Sequence, residues 1–133
     1  MARSVWYPTP ERIIEYNILA LDIIKIKRAD KPKVLSYQKI SEAINNCTEA
    51  DDNIYVKAAV LLKELVQKHP FASGNRRTAF VTVKDFLLMN NSKFRIKDEP
   101  AYAKVMTGIR EGFYSNEEIK EWLKNGKIKE FRR

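Results

Sequence analysis

Positions 69 to 77 read His69, Pro70, Phe71, Ala72, Ser73, Gly74, Asn75, Arg76, Arg77, the densest run of residues with chemical potential in the chain. A free imidazole titrates near pH ~6.5, which suits His69 to act as a general base at neutral pH. Two adjacent arginines point to an anion, because guanidinium forks match phosphate oxygens. No carboxylate lies between His69 and Phe80 to neutralise Arg76 and Arg77 locally. A helix starting at Gly74 or Asn75 offers unpaired N–H groups and the positive end of its dipole, so its first turn is an anion site. Arginines there are unfavourable until a phosphate arrives. Gly74 permits a tight turn or a close backbone approach. Phe71 reads as the anchor that buries the loop. Ser73 reads either as the N-cap of that helix or as an uncharged ligand for magnesium. The alternative for the whole run is an ordinary surface turn.

Such a turn needs rigid elements on both sides. Pro70 disfavours helical backbone at His69, so a preceding helix stops at Lys68 or His69. From Asn53 to Lys68 that helix is apolar on nearly every side, through Ala58, Ala59, Val60, Leu61, Leu62, Leu65 and Val66, which predicts a buried central element. The segment after Gly74 carries Ala79, Phe80, Val81, Val83, Phe86, Leu87 and Leu88 before Asn90 and Asn91. Its length of about 16 residues exceeds the usual strand, so it too reads as helix.

Thr9 and Pro10 predict an N-cap and first helical position, with Ile14, Ile18, Leu21 and Ile24 on one face and an end near Lys27. Ser36 caps a shorter helix with Tyr37, Ile40 and Ile44 inward, and Asn45 to Asp52 read as loop. Tyr102, Val105, Met106 and Ile109 mark a helix closed by Gly112. Ser115 and Glu118 then form a capping box ahead of Ile119, Trp122 and Leu123. The expected architecture is an all-α bundle of about six helices, its two central apolar helices joined by the His69 to Ser73 loop.

The chain has 133 residues, 44% of them apolar, enough for one modest core and a single domain over residues 1–133 with a basic tail at about 125–133. With one cysteine, Cys47, and one histidine, an internal disulfide and a Cys/His zinc site are both excluded. Any metal must take oxygen ligands. Arg3, Glu11 and Arg12 interrupt any secretory signal, and Ala58 to Leu62 is too short to span a bilayer, so a soluble cytoplasmic protein without membrane contact is expected. Of the net charge of +8, Lys25 to Lys33 and Lys124 to Arg133 each contribute five basic residues against one acidic. These clusters read as contacts for an acidic partner or nucleic acid, or as a solvated connector and a frayed tail. Neither interleaves aromatics as a stacking surface for nucleic acid would. Trp6 and Tyr7 read as packing over the core, or as exposed partner contacts.

The run from His69 to Ala79 strongly resembles the Fic family and, within it, the death-on-curing (Doc) branch, and the helical pattern extends the resemblance from about Thr9 to Lys124. The resemblance implies an all-helical fold and transfer from a nucleotide to a protein hydroxyl. In it His69 matches the general base, Phe71 the loop anchor, and Arg77 the arginine that holds phosphates. Asn75 and the N–H groups from Gly74 to Arg77 match the anion-binding turn. AMP-transferring members carry glycine at the Arg76 position and a second arginine at the Phe80 position. Doc-like members carry lysine at the former and lack the latter, which implies a reversed nucleotide pose. Arg76 is a basic variant of that pattern.

The resemblance therefore implies a Doc-like, toxin-type kinase with ATP and Mg2+, phosphorylating a serine or threonine of a protein substrate, and a small antitoxin as partner. Relatives usually place an acidic residue where Ser73 stands; Glu64 or a residue of Glu49 to Asp52 is a substitute, whereas Asp85 is about 12 residues or ~18 Å too far along the helix. AMP transfer is the alternative chemistry. A catalytically silent module that binds nucleic acid or protein is the alternative of another class. Thr107, Glu111 and Gly112 have the spacing of the inhibitory motif of self-restraining relatives, or arise by chance with Gly112 simply ending a helix.

Overall fold

A computed structural model describes residues 4–24, 32–97 and 100–132. Among these residues six helices follow in chain order: α1 (Pro10–Ile24), α2 (Tyr37–Glu49), α3 (Ile54–Lys68), α4 (Asn75–Met89), α5 (Pro100–Arg110) and α6 (Asn116–Asn125). The expected all-α bundle is observed, with α3 at its centre packed against α2, α4, α5 and α6, while α1 lies across α4 and α2. Leu61, Leu62, Leu65 and Val66 of α3 and Ala79, Val83, Phe86 and Leu87 of α4 are all buried in one core. Among the described residues no helix is long and apolar enough to cross a membrane.

Capping explains most boundaries. Arg12 N donates to Thr9 Oγ1 at 3.1 Å and Lys39 N to Ser36 Oγ at 3.2 Å. Asn53 Oδ1 accepts from Tyr55 N and Val56 N, so Asn53 caps α3 from outside. The Ser115 and Glu118 capping box is complete, each residue's side chain meeting the other's backbone N–H.

Three local expectations are corrected. Residues Asn45 to Glu49 are helical, not loop, because Ala43 and Cys47 carry the buried face of α2 onward and its C-terminal carbonyls are closed from a distance. Lys57 does this: buried at 2% exposure, its ammonium donates to the carbonyls of Thr48 and Ala50 at 2.9 Å each and of Cys47 at 3.4 Å. Burial also pushes the Cys47 thiol up to about 12, against the pull of Lys57, so this cysteine is an inert core residue. Tyr37 faces outward, donating to Glu11 at 2.5 Å.

The third correction concerns α1. Its buried face is Ile13, Asn17, Ala20 and Leu21, while Ile18 is 45% exposed. The stripe is rotated because Asn17 has a structural task beside the motif loop. The expected end near Lys27, and the basic segment from Lys25 to Lys31, lie outside the described residues.

The tail is docked rather than frayed. Phe131 is buried against Phe113, ring centroids 5.1 Å apart, and Tyr114 Oη donates to Lys129 O at 2.9 Å. Gly108 makes room for this: a Cβ there would stand 2.5 Å from the Tyr114 ring and 3.0 Å from Phe131.

Candidate active site

The last helical residue of α3 is Lys68, and His69 follows as its C-cap in the left-handed region, φ 52° and ψ 59°. A non-glycine residue pays a steric penalty of roughly 1–2 kcal/mol there, because its Cβ crowds the backbone. The surrounding loop holds it in place. Pro70 O accepts from Leu35 N at 2.8 Å and Ser36 N at 3.1 Å, and Ala72 N donates to Lys33 O at 3.0 Å. An isolated antiparallel bridge pairs Val34 with Phe71. Phe71 is 1% exposed and packs in the core cluster.

Asn75 closes the loop from the other side. Its Oδ1 accepts from Phe71 N at 2.9 Å and its Nδ2 donates to Phe71 O at 2.8 Å. The Asn75 side chain is thus committed to fixing the loop. Asn17 supplies a third tie, Nδ2 to Ser73 O at 2.9 Å and to Thr78 Oγ1 at 3.1 Å. This residue was missed from sequence; the signal was a polar residue in the buried period of α1, between Ile13 and Leu21.

Gly74 occupies the N-cap of α4 with φ 76° and no side-chain cap, so Ser73 is not the N-cap. Glycine is required twice over. Its φ is left-handed, and a Cβ would meet Leu21 Cδ2 at 3.1 Å and Asn17 Nδ2 at 3.3 Å. The first helical bond runs from Thr78 N to Gly74 O at 2.9 Å, which sets the N–H groups of Asn75, Arg76 and Arg77 in the opening turn.

The two arginines differ. Arg76 is exposed, its Nη1 donating to Thr107 Oγ1 of α5 at 2.8 Å. Arg77 is half-buried, its Nη1 donating to Tyr102 Oη at 3.1 Å. Tyr102 packs edge-on against Phe80 at 4.2 Å between centroids, and Phe80 against Phe94 at 5.3 Å. His69 is exposed. Thr107, singled out with Glu111 and Gly112 by spacing, therefore touches the turn, while Gly112 ends the α5 region with φ 76°.

Magnesium is served poorly by this donor set. Among the described residues no three of His, Cys, Asp or Glu converge. Glu64 accepts from Asn46 and pairs with Lys68 at 3.8 Å. Glu49, Asp51 and Asp52 lie before the start of α3, whose 15 residues put His69 roughly 22 Å away. Asp85 accepts from Arg12 at 3.1 Å and from Tyr16. Of the residues suggested for the metal, Ser73 alone is in the loop.

With the turn in place, the match to known proteins is decisive for kinship. The Fic/DOC family model matches residues 8–87. The chain belongs to the Fic/DOC family. No curated protein matches it. The Fic/DOC span runs from ahead of α1 through the motif loop into α4, and α5, α6 and the docked tail lie beyond it. Fic/DOC membership agrees with the helical architecture and places the chain among proteins that modify other proteins by nucleotide-dependent transfer.

Proposed function

We propose that this protein is an ATP-dependent transferase of the Doc-like kind, moving a terminal phosphate onto a serine or threonine hydroxyl of a target protein in the cytoplasm. One observation carries the reading. A loop whose backbone is tied by Asn75, Asn17 and residues 33–36 joins an exposed histidine at the end of α3 to a helix N-terminus that has no side-chain cap and carries two arginines. Cations at a helix N-terminus oppose its dipole, and an anion bound there resolves the conflict.

In this mechanism His69 takes the proton from the target hydroxyl as its oxygen attacks the terminal phosphorus, and ADP leaves. The N–H groups of Asn75, Arg76 and Arg77, with both guanidinium groups, stabilise charge on the transferring phosphate. Tyr102 and Thr107 orient the two arginines. Magnesium, when bound, adds charge neutralisation on the phosphates; Ser73 is the residue offered to it, and no step above depends on it.

Two features favour phosphate over AMP transfer. Phe80, at the position where the resemblance puts a second arginine in AMP-transferring members, is a buried core aromatic at 4% exposure. Arg76 keeps a basic side chain where those members have glycine. Restraint by a small antitoxin protein belongs to the same reading.

The test is transfer of label from γ-labelled and α-labelled ATP to protein in a cell lysate, with His69→Ala in parallel. Label from the γ-position that vanishes in the variant is expected. Label from the α-position would replace the proposal with AMP transfer. Label from neither, with no nucleotide binding, would leave the silent binding module.

A further inference from the structure

The docked tail creates a second feature that the motif turn does not use. Gly126, with φ 76°, turns the chain out of α6 so that residues 127–130 run beside the segment that precedes α5, and a Cβ on Gly126 would lie 3.7 Å from Arg95 O. Between these two irregular walls and α5 lies a cleft of about 820 Å³. Its rim carries Arg95, Lys97 and Lys127, all exposed. The other lysines have answers: Lys104 pairs with Glu130 at 2.8 Å and Lys129 with Glu118 at 3.1 Å. Among the described residues Arg95, Lys97 and Lys127 have no carboxylate partner.

We propose that this cleft binds an extended acidic segment of another protein. The three cations supply the charge complement. The walls supply the rest: among the described residues, the backbone groups of Ile96, Lys97, Lys127 and Ile128 make no backbone hydrogen bond. Both N–H and C=O groups therefore await partners, and an extended peptide backbone answers both. A nucleic-acid backbone offers phosphate acceptors and leaves the carbonyls unmet. Stacking is missing as well, because Trp122 and Phe131 are buried at 4% and 8% exposure and the Tyr102 ring packs edge-on against Phe80. Ile96 and Ile128 give the floor an aliphatic character that suits alternate side chains of such a segment.

Tyr102 connects the cleft to the motif turn, lining the former and holding Arg77 of the latter. Binding can nevertheless be measured without nucleotide, so the cleft stands or falls apart from the transfer chemistry. The probe is a fluorescein-labelled peptide of alternating glutamate and valine, about a dozen residues long, titrated with the full chain at fixed low salt and read by anisotropy. The triple variant Arg95→Glu, Lys97→Glu, Lys127→Glu should bind on the order of ten-fold more weakly, whereas a control pair on other faces, Lys39→Glu with Lys84→Glu, should stay within about two-fold of the native chain. All five positions are exposed, so folding is preserved. Equal losses in both variants, no measurable binding to the native chain, or tighter binding of a labelled oligothymidylate of equal charge would each overturn the proposal.

Discussion

At the start of α3, Lys57 is buried with its ammonium on three carbonyls at the C-terminal end of α2 and 5.6 Å from the centre of the Tyr7 ring. Beyond the other end of α3, Arg76 and Arg77 stand in the opening turn of α4. The lysine sits where a helix dipole attracts a cation, and the arginines sit where it repels one. At the lysine end the charge completes the fold. At the arginine end the loop is tied by neutral amides, Asn75 and Asn17, while Arg76 and Arg77 reach across to Thr107 and Tyr102 of α5, and it is to them that the proposed function assigns the phosphate. The contrast teaches how to tell a structural cation from a functional one: by whether the backbone beside it is a carbonyl end or an amide end.

Substitutions at the two ends should separate accordingly. The largest effect is expected for His69→Gly, which should lower transfer by roughly 10²–10⁴-fold. The same change relieves a left-handed backbone, so the urea midpoint should hold or rise by up to about 1 kcal/mol in equivalent stability. A clear loss of stability with transfer intact would erase the contrast. Lys57→Met should do the reverse, costing about 2–3 kcal/mol in urea unfolding because three carbonyls, one buried and two partly buried, lose a charged donor, while activity per folded molecule is unchanged.

Asn75→Ala is the case where the two ends' logic meets, since its side chain is structural and its place is in the site. We expect about 2 kcal/mol of destabilisation from two lost buried hydrogen bonds, together with weaker transfer as the loop loosens. Unchanged stability would mean that the loop is held by its contacts to residues 33–36 alone.

Much of this was legible in the sequence because it is local. The motif turn announces itself by residue type at close spacing, the helices by periodicity, and the last helix by the reciprocal box of Ser115 and Glu118. What was not legible depends on partners distant along the chain. The last turn of α2 looked like loop because the donor that closes it, Lys57, arrives from the next helix. The inner face of α1 was misplaced because Asn17 reads as a polar interruption until Ser73 and Thr78 are seen beside it. The closure of the Asn75 amide on both backbone groups of Phe71 is likewise a contact that residue type and spacing do not announce. The tail read as solvated charge because the pocket for Phe131 is built by Gly108, Phe113 and Tyr114, which no local pattern relates to it.

Smaller effects sharpen the comparison further. Arg76→Ala should weaken transfer while leaving stability level or raising it by about 0.3–1 kcal/mol at low ionic strength, the sign expected for a cation removed from a helix N-terminus. A drop in stability would assign Arg76 a structural role through Thr107. At the periphery, the Ser115 amide and then Lys129 hold the Glu118 carboxyl below its usual range, and Lys104 does the same for Glu130. A depressed carboxyl stabilises the folded chain fully above the ordinary value of ~4.3 and loses that contribution as pH falls through its lowered folded value. Thermal midpoints should therefore decline on acidification below about pH 4, and Glu118→Gln should flatten that decline. An equal slope in the variant would count against the Ser115 and Lys129 contacts.

The bare backbone at Gly108 also sets an order of events in time. Phe131 is among the last residues to be synthesised of those described, and its ring closes the floor of the basic cleft only by settling on Gly108 and Phe113. Because chains are made from the N-terminal end, a growing polypeptide contains every residue of the His69 to Arg77 turn well before the tail that walls the cleft is available. A nascent chain that has not yet reached residues 126–131 would thus carry the motif without the neighbouring cleft, which makes the synthesis of those residues the step that brings the two together.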